Sequence, residues 1–215
     1  MRTVIDNLDL YWNGFYRTLG LAIFSGLIAL VLGVVLATMR VSPLPPLRAA
    51  GTLYVELLRN TPLTVVFFFA VVVLPQLGPI LPFYTGAIIA LSAYTAAFVC
   101  EAVRSGINSV GAGQAEAARS IGLTFQQVLR FIVLPQALRT VVPPLVNVLI
   151  ALTKNTSVAG GFLVAELFGV GRRLTNAFAT DVLAVLLGVA FFYLLLTIPL
   201  GILAGRVERR VAIAR

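Results

Sequence analysis

The chain has 215 residues, of which 60% are apolar or aromatic and 11% charged, with a mean hydropathy of +1.00. A soluble domain carries roughly 25% charged residues, so this composition excludes a soluble enzyme or a disordered chain and makes lipid the expected solvent. The net charge of +8 does not indicate nucleic acid, because the arginines stand at the ends of apolar runs rather than in a basic patch with aromatic partners.

At this length the chain is one unit, read as a single transmembrane domain over 1–215. It contains no histidine, which excludes Ser-His-Asp and Cys-His catalysis and the common His metal sites. Cys100 is the one cysteine, so there is no intrachain disulfide and no CxxC chemistry. No catalytic or metal-ligating set is predicted.

In chain order, Arg2, Asp6 and Asp9 do not fit a signal peptide, and the first apolar run is expected to be retained. Tyr11, Trp12 and Tyr16 read as an aromatic anchor or a short interfacial helix. Residues 18–39 are 22 uncharged positions. About 20 apolar residues cross a hydrocarbon core of roughly 30 Å, which predicts a first span over about 17–40. Ser42 to Pro46 reads as an extended loop. Residues 60–100 are 41 uncharged positions, interrupted by Pro75, Gly78, Pro79 and Pro82. Prolines and a glycine so close together break a helix, which gives two spans, 60–76 and 82–101, joined by a tight turn. The gap 140–153 is only 14 residues, but snorkelling of Arg139 extends a fourth span to 136–155. The gap 182–205, 24 residues, is the fifth.

The expected fold is thus an all-α membrane protein with five transmembrane helices. One side carries 11 basic residues in the segments 40–59, 101–139 and 206–215, against five on the other. The Lys/Arg bias therefore places the N-terminus outside and the C-terminus in the cytoplasm.

The polar loop 105–135 is the informative segment. Ala115 to Ile121 is rich in helix formers. Gly122 can end that helix in a left-handed cap, Thr124 can N-cap a second one, and Pro135 is expected to interrupt it before the next span. Two short helices presented to the cytoplasm suit a groove on a partner.

Glu116-Ala117-Ala118, Gly122 and Ile132-Val133-Leu134-Pro135 resemble, at every spacing, the EAA loop of bacterial ABC-importer permeases. Arg59-Asn60-Thr61-Pro62-Leu63 is similar to that family's R-G-T-P-L segment, with Asn60 in place of glycine. Glu101 to Ile107 resembles its E-x-x-R-x-G-I segment, and Lys154-Asn155-Thr156-Ser157 its K-D/N-T-S segment. Together these point to the polar amino-acid uptake branch, with wording most like glutamate-type permease subunits. The resemblance implies a five-span permease in the bacterial inner membrane that pairs with a second, identical or related permease. It also implies a cytoplasmic ABC ATPase dimer and an extracytoplasmic amino-acid-binding protein as partners. The chain has no G-x-x-x-x-G-K-[ST] loop, so ATP and Mg are expected on the partner ATPase and no cofactor on this chain.

On this resemblance Glu116, Ala117, Ala118, Arg119, Gly122 and Leu123 are the expected ATPase-coupling residues. Each has a plainer reading: Glu116 as a solvated or helix-terminal charge, Arg119 as a lipid-surface contact, Gly122 as a turn residue. Arg59, Asn60, Thr61, Pro62, Lys154, Asn155, Thr156 and Ser157 are the expected substrate-pathway residues. A planar guanidinium at Arg59 suits a carboxylate, and Lys154 is followed by amide and hydroxyl groups. The plainer readings are interfacial anchors for Arg59, Glu101, Arg104 and Lys154, and a structural kink at Asn60 to Pro62. Glu166 reads as a surface carboxylate, or as part of a short outer helix that gates a cavity. The expected function is uptake of a polar amino acid, glutamate first. Two other classes stand beside it: an ion-coupled transporter or channel subunit, and a non-transporting membrane scaffold.

Overall fold

The structure is a computed structural model that describes residues 2–78 and 81–211. Pro79 and Ile80 of the expected turn, and Arg215 of the basic tail, lie outside the described residues. The described chain is helical, with short connections. A four-residue helix, α1 (Arg2–Ile5), leads into α2 (Leu8–Val41). Then come α3 (Pro45–Asn60) and α4 (Leu63–Phe68), continued by a π-helical turn (Phe69–Val73) into α5 (Leu74–Gln76). The next elements are α6 (Phe83–Asn108), α7 (Ala112–Ser120) and α8 (Phe125–Gln127). A second π-helical turn (Val128–Val133) joins α8 to α9 (Leu134–Asn155), which passes into a 3-10 segment (Thr156–Phe162). The chain ends in α10 (Leu167–Ala177) and α11 (Val182–Val211).

Among the described residues, four helical runs are long and apolar enough to cross a bilayer: Leu8–Val41, Phe83–Asn108, Phe125–Phe162 and Val182–Arg209. The fifth candidate is a broken one, Pro45–Asn60 followed by Leu63–Gln76 at an angle of 106°. Charge-free gaps mark hydrocarbon, not helix ends. The first spanning helix, α2, starts at Leu8 rather than near 17, and its 34 residues make a rod of about 51 Å, longer than the hydrocarbon core. The expected loop after Ser42 is a helix from Pro45 onward, because two prolines in the first turn have no N–H to lose there and carry a helical φ. Pro135 does not interrupt the helix either. The π-helical turn before it widens the ladder, and Pro135 sits in the first turn of α9, where its missing donor is harmless. Tyr11 is fully buried, stacked on Phe192 at 5.4 Å and donating to the Val185 carbonyl at 3.1 Å, so it is an internal tie rather than a headgroup anchor. The Thr3 hydroxyl bonds the Asp181 carboxylate beside it.

The most buried spanning helix is α6, which packs on α2, α3, α4 and α9. One core joins Leu21, Phe67, Leu91 and Leu152; a second joins Tyr11, Leu167, Leu174 and Phe192; a third joins Ala29, Val55, Ala97 and Val99. Lipid tails are as apolar as leucine, so burial alone does not drive one helix onto another, and close packing through small residues matters more. Gly33 of α2 is one such close approach. A Cβ there would run into the Val99 side chain and stand 3.0 Å from the Ala96 carbonyl. Gly106 of α6 is in the same situation against Val141 of α9. Among the described residues, the Gly201/Gly205 pair packs on nothing comparable.

Gly33→Val should therefore destabilise the purified protein by about 1–3 kcal/mol through overpacking, seen as a lower unfolding midpoint in detergent. Gly201→Ala, where a Cβ meets nothing within 4 Å among the described residues, should not lower the midpoint.

Candidate functional site

The loop between α6 and α9 is built by its own caps. After α7, the Leu123 N–H reaches the Ala118 carbonyl at 3.2 Å and the Gly122 N–H reaches Arg119 at 2.9 Å. That is the Schellman arrangement, and it needs a left-handed residue, which Gly122 supplies at φ +88°. Thr124 then closes a capping box with Gln127: its N–H donates to Gln127 Oε1 at 2.9 Å, and its hydroxyl accepts from the Gln127 N–H at 3.4 Å. Gln136 Nε2 donates to Gln114 Oε1 at 2.5 Å and pins α7 against α9. Within this frame Glu116, Ala117, Arg119 and Gly122 are exposed, Leu123 is half-buried, and Ala118 packs inward. Ile121 and Phe125, 79% and 67% exposed, stand beside them as an unpartnered apolar pair. Sequence reasoning did not select these two, although large apolar residues flanking a polar loop are a readable signal.

The root of the loop is clamped. Ser109 Oγ donates to Thr140 Oγ1 at 2.9 Å, and Thr140 also donates to the Gly106 carbonyl at 3.2 Å. Further along the same two helices lies a cavity of about 220 Å³, lined by Tyr94, Thr95 and Phe98 of α6 and by Val148, Ala151, Leu152 and Asn155 of α9. Tyr94 and Phe98 form an aromatic pair at 5.0 Å. The Arg59 guanidinium sits over the Phe98 ring, 5.6 Å from its centre.

The expected pathway residues thus separate into three groups. Asn155 lines the α6/α9 groove, and Arg59 lies over Phe98, one of its walls. Lys154 and Ser157 open on a different cavity, of about 360 Å³, with Phe168, Tyr193 and Thr197. Asn60, Thr61, Pro62 and Thr156 face neither. The Asn60 side chain donates to the Glu56 carbonyl at 2.8 Å and Thr61 to the Leu57 carbonyl at 2.7 Å. Pro62 N-caps α4 and its carbonyl takes the Val65 N–H at 2.9 Å. These residues close the backbone at the 106° bend. Thr156 is buried and bonds the Thr153 carbonyl at 2.7 Å.

The four charges read as separate anchors are partly a cluster. Arg40 pairs with Glu101 Oε1, Arg104 with Oε2 at 2.9 Å, and Arg59 stands 3.8 Å from Oε1. Such pairing between α2, α3 and α6 is invisible without the tertiary packing.

Glu166 corrects the surface reading. It is fully buried. It N-caps α10, accepting from Gly169 N at 2.7 Å and Phe168 N at 3.0 Å, while Tyr193 of α11 donates at 2.8 Å and Thr18 of α2 at 3.4 Å. One carboxylate therefore joins three elements. Burial raises its carboxyl above the ordinary value, against the pull of those four donors. The folded state then holds this proton more tightly than the unfolded chain. The stability contributed is full below the ordinary carboxylate value and is lost as pH rises through the raised one. The difference in unfolding midpoint between wild type and Glu166→Gln should accordingly change with pH above the ordinary carboxylate range, wild type losing ground as pH rises. Glu166→Ala should cost on the order of 2–4 kcal/mol at low pH, because it strips a helix cap and leaves buried donors unpaired, and that cost should shrink as pH rises.

Comparison with known proteins follows this geometry. Residues 29–213 match the family described as "Binding-protein-dependent transport system inner membrane component". The probable glutamine ABC transporter permease protein GlnM of Bacillus subtilis is 41% identical over 208 residues, covering 97% of this chain and 96% of that one. The glutamate transport system permease protein GluC of Corynebacterium glutamicum is 39% identical, covering 94% and 93%. A crystal structure of an amino acid ABC transporter with histidines superposes with a TM-score of 0.90 at 28% identity, covering 96% of each chain. The chain belongs to the inner-membrane-component family of binding-protein-dependent transport systems, that is, the permease subunits of ABC importers. Its relatives are amino-acid permeases, and such subunits are not enzymes; ATP hydrolysis lies in a separate subunit.

Proposed function

We propose that this chain is the membrane subunit of an ATP-driven importer for a polar amino acid of the glutamine–glutamate class. The observation that carries this reading is the full-length likeness to glutamine and glutamate permeases, joined to a groove that offers an amide, a phenol and a nearby guanidinium. The N-terminus lies outside and the C-terminus in the cytoplasm, as the Lys/Arg bias favours. Two permeases, identical or related, frame the pathway. An external binding protein delivers the amino acid, and a pair of cytoplasmic ATPases receives the loop around Glu116, Arg119, Ile121 and Phe125. ATP and Mg belong to those ATPases.

The mechanism follows from where the loop is attached. It joins α6 and α9, and the same two helices wall the groove. A displacement of α7 and α8 by the ATPases therefore acts on the groove directly, through the Ser109–Thr140 clamp. Alternating access is then a two-state packing of α6 against α9, biased by ATP on one side and substrate on the other.

The complex purified in mild detergent should contain an ATPase and, in proteoliposomes with its binding protein, take up L-glutamine or L-glutamate only with ATP. Recovery of the chain alone after cross-linking in the native membrane would overturn the reading. Gly122→Pro should abolish uptake while leaving membrane insertion intact, because proline cannot adopt φ +88°. A charge reversal at Glu116 should weaken co-purification of the ATPase.

A further inference from the structure

Glu101 serves three arginines with two oxygens. Arg40 and Arg104 take one oxygen each. Their side chains are 13% and 36% exposed, and each sits on a helix that α6 either contacts or comprises. Arg59 is the third claimant. It approaches the oxygen that Arg40 already holds, at 3.8 Å, beyond hydrogen-bond distance, and its side chain is 45% exposed. Its other neighbour is the Phe98 ring, a wall of the α6/α9 groove. The cluster thus carries more positive than negative charge, and the surplus sits on its least restrained arm.

We infer that Glu101 is a positioning residue that holds Arg59 at the edge of the α6/α9 groove as a movable cation, and that Arg59 exchanges Glu101 for the substrate carboxylate during translocation. The inference rests on the reading of the chain as an amino-acid permease. Three features support the exchange. A weak, long contact to Glu101 is easily surrendered, since a partly exposed ion pair holds little free energy. The contact with the Phe98 face does not consume an N–H, which leaves the guanidinium's donors for a bidentate carboxylate. Arg40, nearly buried, stays paired with Glu101 when Arg59 leaves, so no buried carboxylate is stranded. Lys154, the other cation of the expected pathway, faces a different cavity and does not compete.

The test uses the full complex in proteoliposomes, with its binding protein and ATPase, and follows L-glutamine and L-glutamate uptake alongside ATP hydrolysis. Arg59 is exposed, so its variants fold. Arg59→Gln should lower uptake by at least about tenfold, the rate equivalent of one charge-assisted hydrogen bond. Binding-protein-stimulated ATP hydrolysis should stay close to wild type, so that more ATP is consumed per amino acid moved. Arg59→Lys, which keeps the charge but loses the planar fork, should restore uptake only in part. Glu101→Gln should show the same split between uptake and hydrolysis, and the double variant should be no worse than Arg59→Gln alone. Wild-type uptake by Arg59→Gln overturns the inference. So does a parallel fall of uptake and hydrolysis in Arg59→Gln, or a Glu101→Gln defect that persists undiminished in the Arg59→Gln background. Absence of amino-acid uptake by the wild-type complex would instead overturn the transport reading on which the inference stands.

Discussion

Every part of this fold answers to one constraint: inside a bilayer the backbone must find its own hydrogen-bond partners. Regular helix meets it by default, so the points of interest are where helix stops. At the bend after α3, Asn60 and Thr61 fold back onto the Glu56 and Leu57 carbonyls that the break sets free. After α9, Thr156 and Ser157 do the same for Thr153 and Lys154. At the start of α10, Glu166 takes two backbone N–H groups at once. Each irregular segment is thus made permissible by a polar side chain within a few residues of it. This also explains why the polar motifs stand where they do along an otherwise apolar chain.

The same constraint weighs two readings of those motifs. A side chain engaged with its own backbone is not free for a ligand. Asn60, Thr61 and Thr156 are engaged in this way, whereas Asn155 faces the α6/α9 groove and Arg59 lies at its edge. A four-residue motif is therefore not a four-residue site. Helix geometry sends neighbouring positions in different directions, which is why Lys154 and Asn155, adjacent in sequence, line separate cavities.

What the sequence made legible follows from the range of the forces involved. Apolar runs, the turn chemistry of Gly122 and the cap at Thr124 are local, and local signals identify the helices and shape the loop 105–135. The start of α2 at Leu8 and the helix from Pro45 were not legible from charge gaps, because packing against other helices carries a helix past charged residues. The Glu101 cluster and the burial of Glu166 were not legible at all. Both depend on partners 61 and 148 positions away, Arg40 and Thr18, which only the tertiary fold brings close.

The Glu166 knot has a bearing on how the protein is made. Its partners come from opposite ends of the chain, Thr18 in the first spanning helix and Tyr193 in the last. While synthesis proceeds, the carboxylate emerges after Thr18 but before Tyr193 exists, so it has its own helix cap and the Thr18 hydroxyl without the phenol. The segment around Glu166 is therefore provisional until the final helix enters the membrane and donates its phenol. Completion of the last span and full satisfaction of this buried acid are one event, so a chain that ends before Tyr193 leaves Glu166 without its phenol donor.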